Sequence, residues 1–243
     1  GKINVSPNDH SRDSEADHDV ASDSVVPGLV ADDNKNVEVQ MAYETEQENF
    51  WAGSFGNDYV DRNKSDASLM SKAALWSTML RAAHGVENVL ELGCNIGLNL
   101  IALQRLRPGI AVAGYEINES AARIARKNTG ADIVCGSVLE KLDCKVVDLT
   151  FTCGVLIHIN PDKLRSVYAN LYEKSQRYVL VAEYYNPSPV AINYRGNEGK
   201  LFKRDFSGDL IDEFGMKLID YGFTYKRDNW APQDDVTWFL LEK

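Results

Sequence analysis

The chain has 243 residues, 44% of them hydrophobic and 9% aromatic, and a formal net charge of −10. This is enough apolar material for one sizeable core. No run approaches the roughly 20 apolar residues of a membrane helix, and the acidity argues against a phosphate backbone as the main partner. The first residues are polar rather than basic-then-apolar, so a cytoplasmic protein is expected. The charge is uneven: residues 1–40 hold Lys2, Arg12 and Lys35 against nine acids, a net of 3 − 9 = −6, leaving −10 − (−6) = −4 for the other 203.

Residues 1–40 are rich in Asp, Asn and Ser and lack aromatics. Such a segment cannot bury enough surface to offset its ordering entropy, so it is expected to be a disordered tail or a linker to another domain. The folded domain is expected over 41–243, with a helical lid at 41–85 and the core at 86–243. Phe50, Trp51, Phe55 and Tyr59 crowd the start of the lid, interrupted by Gly53 and Gly56. A helix is predicted next, opened by Ser65 or Asp66, with Leu69, Ala73, Trp76 and Leu80 on one face.

Strand and helix signals then alternate. A strand at 89–92 precedes a helical stripe of Leu100, Ile101, Leu103 and Leu106, ended by Pro108-Gly109. A second strand at 110–117 leads to Asn118, a natural cap for a helix over 121–127, and further strands follow at 132–135 and 146–152. Asn160-Pro161-Asp162 predicts a helix start: Asn as cap, Pro first, an acid in the first turn. A near-continuously apolar fifth strand is predicted at 178–183. The stretch 186–205, with its prolines and glycines, reads as irregular. A helix near 209–214 and strands at about 217–227 and 236–242 complete the chain. The alternation implies an α/β fold, a Rossmann-like, doubly wound, mostly parallel seven-stranded sheet with helices on both faces.

The first chemical motif is Val89-Leu90-Glu91-Leu92-Gly93-Cys94-Asn95-Ile96-Gly97, a buried strand running into a glycine turn. Glycines there let the backbone turn tightly and approach a ligand at the carboxyl end of a strand. Glu116 ends the second strand 116 − 93 = 23 residues later, where a carboxylate can accept hydrogen bonds from ribose hydroxyls. The G-x-G-x-x-G of nicotinamide dinucleotide sites is missing, which disfavours an oxidoreductase. Glu91 suits a cationic ligand, directly or through the turn's own amides. The four cysteines form no C-x-x-C pair and the four histidines no ligand-like spacing, so reduced thiols and no metal are expected.

The E-x-G-x-x-x-G turn with a later acidic strand end resembles the class I S-adenosylmethionine (SAM)-dependent methyltransferases. The resemblance implies SAM as cofactor, with S-adenosylhomocysteine as product, held by Glu91, Gly93, Asn95, Gly97, Glu116 and Ile117. Gly136-Ser137-Val138 matches the segment that meets the adenine, and Thr152-Cys153-Gly154-Val155-Leu156 the segment beside the methionine portion. Val155-Leu156-Ile157-His158 resembles the family's V-L-x-H run. His158 then either orders its loop or acts as a base, for which a pKa near 6.5 would serve.

A narrower likeness is carried by Gln47-Glu48-Asn49-Phe50-Trp51-Ala52-Gly53-Ser54-Phe55-Gly56-Asn57-Asp58-Tyr59, Ala182-Glu183-Tyr184-Tyr185-Asn186-Pro187 and Tyr194-Arg195-Gly196. Leu201-Phe202-Lys203-Arg204-Asp205-Phe206 and Pro232-Gln233-Asp234-Asp235-Val236-Thr237-Trp238-Phe239-Leu240 extend it. These runs resemble the methylases associated with pseudaminic acid biosynthesis, a family linked to bacterial nonulosonic sugar glycans. The implied substrate is a sugar acid, free, nucleotide-activated or glycan-attached. On this reading Trp51 and Tyr59 offer rings to the sulfonium, an attraction of about 0.5–2 kcal/mol, and Arg62 meets the donor's carboxylate. Tyr184, Tyr185, Asn186, Tyr194, Arg195, Lys203 and Arg204 are the acceptor-binding candidates, the basic ones suiting a carboxylate or phosphate. His158 is the first candidate base and Glu183 the second. Three alternatives stay open: another small metabolite as acceptor, a protein side chain, or a non-catalytic donor-binding module.

Overall fold

At the centre of the sheet lies β1 (Asn88–Leu92), buried on both sides except at its first residue. In this computed structural model the described residues are 43–60 and 66–243, with side chains at 43–57 and 68–243. β1 pairs in parallel with β2 (Ala111–Glu116) on one side and β4 (Val147–Cys153) on the other. β3 (Asp132–Cys135) extends the β2 side, and β5 (Ser175–Glu183) extends the β4 side, again in parallel. The chain then returns antiparallel through β8 (Lys217–Phe223) and β9 (Thr237–Glu242), giving the order β3-β2-β1-β4-β5-β9-β8. The strand order reverses between β1 and β4. The carboxyl ends of these two strands therefore open onto the crevice where α/β sheets hold ligands.

Helices cover both faces. α3 (Asp66–Met79), α4 (Leu98–Leu106) and α5 (Glu119–Thr129) pack Trp76, Leu100, Leu103, Ala122 and Ala125 onto Val89, Leu149 and Phe151. On the other face α6 (Leu164–Lys174) and α7 (Phe206–Phe214) set Val167, Leu171, Phe206 and Leu210 against Leu90, Leu92, Val179 and Val181. Burying one such side chain is worth about 1.5–3 kcal/mol, and both faces of the parallel strands are filled this way.

Local chemistry sets the helix ends. The Asn118 side chain accepts from the Ala121 amide at 3.0 Å and caps α5, as its position in the sequence predicts. Asn160 also caps, but what it opens is a short 3-10 turn over Pro161–Lys163 before α6 begins at Leu164.

The expected helical lid starts with two short helices, and one stretch differs from the sequence reading. α1 (Glu46–Ala52) is fixed by a capping box, with the Thr45 hydroxyl taking the Glu48 amide and the Glu48 carboxylate taking the Thr45 amide; α2 (Ser54–Val60) follows it. The stretch expected to be irregular contains a β-hairpin of β6 (Val190–Tyr194) and β7 (Asn197–Lys203). Its two-residue turn is Arg195-Gly196, with φ of 48° and 82°, the pair of positive angles that a tight hairpin turn matching strand twist requires.

Candidate functional site

Two cavities meet above the carboxyl ends of β1, β2 and β4. The first, about 160 Å³, is lined by Glu116 at the end of β2, Ile117 just after it, Ser137 and Val138 after β3, and His158 after β4, and is roofed by Trp51. The second, about 430 Å³, is bounded by Lys72 of α3, Glu91 of β1, Asn99 of α4 and the loop before β9. Gly93, Asn95 and Cys153 line both, so the glycine turn and the end of β4 form the junction.

The turn is shaped by its backbone. Gly93 and Asn95 both have positive φ, 80° and 49°. A Cβ on Gly93 would lie 2.5 Å from Cγ2 of Val155, so only glycine lets the β1 and β4 loops approach this closely. Gly97 lines neither cavity; with φ of 83° it starts α4 and packs on Ala125 and Thr129 of α5.

Glu116 is fully engaged on its protein side. One carboxylate oxygen accepts the Asn95 amide at 2.7 Å and the other the Asn118 amide at 2.8 Å. Burial raises its pKa, and these amides hold it back down. Each oxygen still has a lone pair to offer a ligand.

Glu91 lies 1% exposed beneath the second cavity. Its Oε1 accepts from Nδ2 of Asn99 at 2.6 Å, and Oδ1 of Asn99 accepts from the Trp76 indole at 3.3 Å. Its other oxygen, Oε2, is buried and has no partner. Burial pushes the carboxyl up to about 8, against the lowering by Asn99 and Lys72.

His158 sits between aromatic rings, 4.5 Å from Trp51 and 4.9 Å from Tyr194, centroid to centroid. Its Nδ1 is 2.7 Å from the Lys200 carbonyl, an acceptor, so Nδ1 carries the proton and Nε2 keeps the lone pair. Burial moves its pKa down to about 4, not the ordinary 6.5 expected from sequence.

Glu183 does not reach either cavity. Its carboxylate accepts the amides of Val155, Leu156 and Ile157, clamping the loop that carries His158, while burial lifts its pKa to about 7. With both oxygens bound to backbone, it positions the loop; the sequence-stated role of second base does not fit it.

Comparisons with known proteins bear on the same region. Residues 89–175 match the profile of the methyltransferase domain family. No curated protein matches the chain in sequence. Among solved structures, a magnesium protoporphyrin IX methyltransferase from Synechocystis PCC 6803 with bound SAM superposes with a TM-score of 0.58. It is 12% identical, over 82% of this chain and 98% of that one. A SAM-dependent methyltransferase from Archaeoglobus fulgidus gives 0.58 at 13% identity, over 78% and 100%. CalS10 from Micromonospora echinaspora, an amino pentose methyltransferase, gives 0.56 at 12% identity, over 77% and 95%. Residues 89–175 thus match a methyltransferase domain model, and the fold around them is the one these structures share.

Around this region, the remaining sequence candidates are spread out. Trp51, Gly93, Asn95, Glu116, Ile117, Ser137, Val138, Cys153 and His158 converge on the first cavity. Arg62 and the side chain of Tyr59 lie outside the described residues. Tyr194 backs the roof against Trp51, Phe55 and His158. The other acceptor candidates line neither cavity. Tyr184 donates to Asp234 at 3.3 Å, Tyr185 packs on Phe239, and Asn186 donates to the Ser188 carbonyl. Arg195 lies over the Tyr194 ring, Lys203 over Tyr184, and Arg204 pairs with Asp209 at 3.0 Å. Of these, only Arg195 and Lys203 belong to the hairpin, where each lies against a tyrosine ring outside both cavities.

The sequence reading missed several residues at the site. Glu48, buried in the first cavity, accepts from the Ser137 hydroxyl as well as from Thr45. Asn118 donates to the carbonyls of Trp51 and Ala52 and to Asn57, seating α1 and α2 on α5. Lys200, nearly buried, pairs with Glu46, and Gln47 donates to the Gly199 carbonyl at 3.1 Å. The T-x-x-E spacing of Thr45 and Glu48 was the available signal for the first of these; the long-range contacts have none in a single sequence.

Proposed function

We propose that the protein transfers a methyl group from SAM to a hydroxyl or amine of a nonulosonic sugar, free, nucleotide-activated or glycan-attached. The observation that carries the acceptor reading is convergence. Five runs gave the likeness to the pseudaminic acid-associated methylases; two of them line the two cavities and two others hold the loop of His158. Gln47, Glu48, Trp51 and Gly56 line the first, Gln233 and Asp234 line the second, Glu183 clamps the loop of His158, and Tyr194 backs it. An amino pentose methyltransferase among the structural neighbours supports a sugar acceptor on this fold.

The residues fit the donor. Glu116 keeps acceptor capacity for ribose hydroxyls, and Ser137 and Val138 form a wall suited to the adenine. The unpartnered Oε2 of Glu91 calls for a cationic donor of hydrogen bonds at the second cavity. Bound SAM supplies an electrophilic methyl group on a sulfonium. Trp51 offers its ring face to that positive charge. His158, its Nδ1 committed to Lys200, presents Nε2 as the group that takes the acceptor's proton. α1 brings the Trp51 ring onto His158 and the β6–β7 hairpin backs it with Tyr194, which partly shields the polar contacts there. Arg195 and Lys203, each over a tyrosine ring, give the surround a positive character suited to a sugar carboxylate or phosphate. The acidic segment 1–40 serves as a tail or linker in this reading, and the free thiols suit a reducing cytoplasm.

The test is incubation with isotopically labelled SAM and pseudaminic acid, free and nucleotide-activated, with mass spectrometry of the products. A labelled methylated sugar is expected. Donor binding with no labelled sugar would refute the acceptor and direct the search to other metabolites, protein side chains or a non-catalytic role.

A further inference from the structure

We propose that Gln47 and His158 form a pair of hydrogen-bond acceptors in the first cavity that holds a primary amine, so that the methyl group goes to nitrogen. This rests on the methyl-transfer reading above and names the acceptor atom which that reading leaves open.

Three observations carry it. First, α1 presents Gln47 and Trp51 one turn apart on the same face, and the Trp51 ring lies 4.5 Å from that of His158. Gln47 and His158 are thus brought together in the lining of the first cavity. Second, both side chains are oriented by consecutive carbonyls of β7. Nε2 of Gln47 donates to Gly199 at 3.1 Å and Nδ1 of His158 to Lys200 at 2.7 Å. Each turns a donor to the hairpin and keeps an acceptor, Oε1 of Gln47 and Nε2 of His158. Oε1 is buried without a partner on a residue 8% exposed, which is costly until a ligand brings it a donor. Third, the lining holds two carboxylates, Glu48 and Glu116, and among the described residues neither lysine nor arginine. That field disfavours a sugar carboxylate or phosphate at this point and favours a nitrogen able to carry positive charge.

A hydroxyl has one donor and would leave one of the two acceptors unmatched, whereas a primary amine matches both. With two N–H groups held, the lone pair of nitrogen is left to face the rest of the cavity. The amine, having passed the third proton of its ammonium form by way of Nε2 to water, forms the N–C bond as the S–C bond breaks. Sulfur keeps that electron pair as a thioether, and the positive charge leaves on a secondary ammonium.

The experiment gives the full chain labelled SAM and pseudaminic acid in two forms, both amines free and both acetylated, and locates the label by NMR and mass spectrometry. Label on nitrogen of the free-amine form is expected, with the acetylated form unlabelled. Label on oxygen in either form overturns the amine site and leaves methyl transfer to the sugar standing. No label on either form, with S-adenosylhomocysteine bound, overturns both. A second readout uses the N-monomethyl product, whose neutral nitrogen offers one N–H to two acceptors. Its kcat/KM should be about tenfold below that of the primary amine. Gln47→Leu should bring the two values close to equal, whereas loss of a mere tie between α1 and the hairpin would lower both alike. An unchanged ratio overturns the role of Gln47. The wild-type measurements decide which atom is methylated even where that variant fails to fold.

Discussion

The imidazole of His158 and the carbonyl of Lys200, 42 positions apart, are joined by a 2.7 Å hydrogen bond that fixes the tautomer of the ring. The bond leaves Nε2 as an acceptor at neutral pH without any titration.

The first prediction follows from that bond and from the ring's burial. A group whose folded pKa is depressed adds stability that is complete above its unfolded pKa and is lost as pH falls. For His158 the window runs from 6.5 down to about 4. NMR titration of the ring should show a midpoint near 4, and turnover should have no acid limb at 6.5 arising from this residue. A midpoint above 6 would refute the buried neutral ring. Replacement by Ala should lower turnover at least about a hundredfold if the ring is the base, with donor affinity retained.

Glu91 titrates with the opposite sign. Its folded pKa, about 8, lies above the ordinary 4.5, so between these values the folded state binds more protons than the unfolded one. The ligand-free protein should therefore lose stability as pH rises through that window. Glu183, also raised, adds a component of the same direction. Comparing melting temperatures of wild type and Glu91→Gln isolates the first: the gap in favour of the variant should widen from pH 4.5 to 8. A constant gap would show that the carboxyl ionises normally.

Gly93→Ala tests the junction of the cavities. The left-handed φ costs about 1–2 kcal/mol for an L residue, and the new Cβ must displace Val155, 2.5 Å away. Denaturant unfolding should show a loss of at least about 2 kcal/mol, accompanied by weakened binding of S-adenosylhomocysteine. A change below 0.5 kcal/mol would mean that the two loops are not held as closely as described.

Lys200 and Glu46 test the roof through an asymmetry. Lys200 is 7% exposed on its side chain and Glu46 81%, so the two single removals differ in what they leave behind. Glu46→Gln strands a nearly buried ammonium and should cost about 1–3 kcal/mol. Lys200→Met leaves a solvated carboxylate and keeps the apolar stem over Phe50, so it should be close to neutral in stability. The reverse ranking would show that burial of the ammonium is not the governing effect.

How far the sequence reached depends on the range of the interaction. Strand order and helix faces were legible from local pattern: Val89, Leu90 and Leu92 announce a covered strand, and Asn118 announces a cap that the structure contains. The glycine turn and Glu116 were legible because their spacing reflects one strand–helix–strand unit. The hairpin was not. Two prolines precede it, its turn is Arg195-Gly196 rather than the usual Asn-Gly, and Val190–Ile192 stay exposed, so no alternation marks them. The role of Glu183 was equally hidden: a strand-end acid looks catalytic until its three amide partners are known.

The clasp between α1 and the hairpin has a consequence for how the chain comes into being. Gln47 meets Gly199 across 152 positions and Lys200 meets Glu46 across 154. α1 is only seven residues long, too short to persist in water alone. During synthesis it must wait, exposed, until the hairpin has left the ribosome, and contacts of such sequence separation are slow to form. The site thus gains its cover only after the chain has been made through the hairpin, which is most of its length.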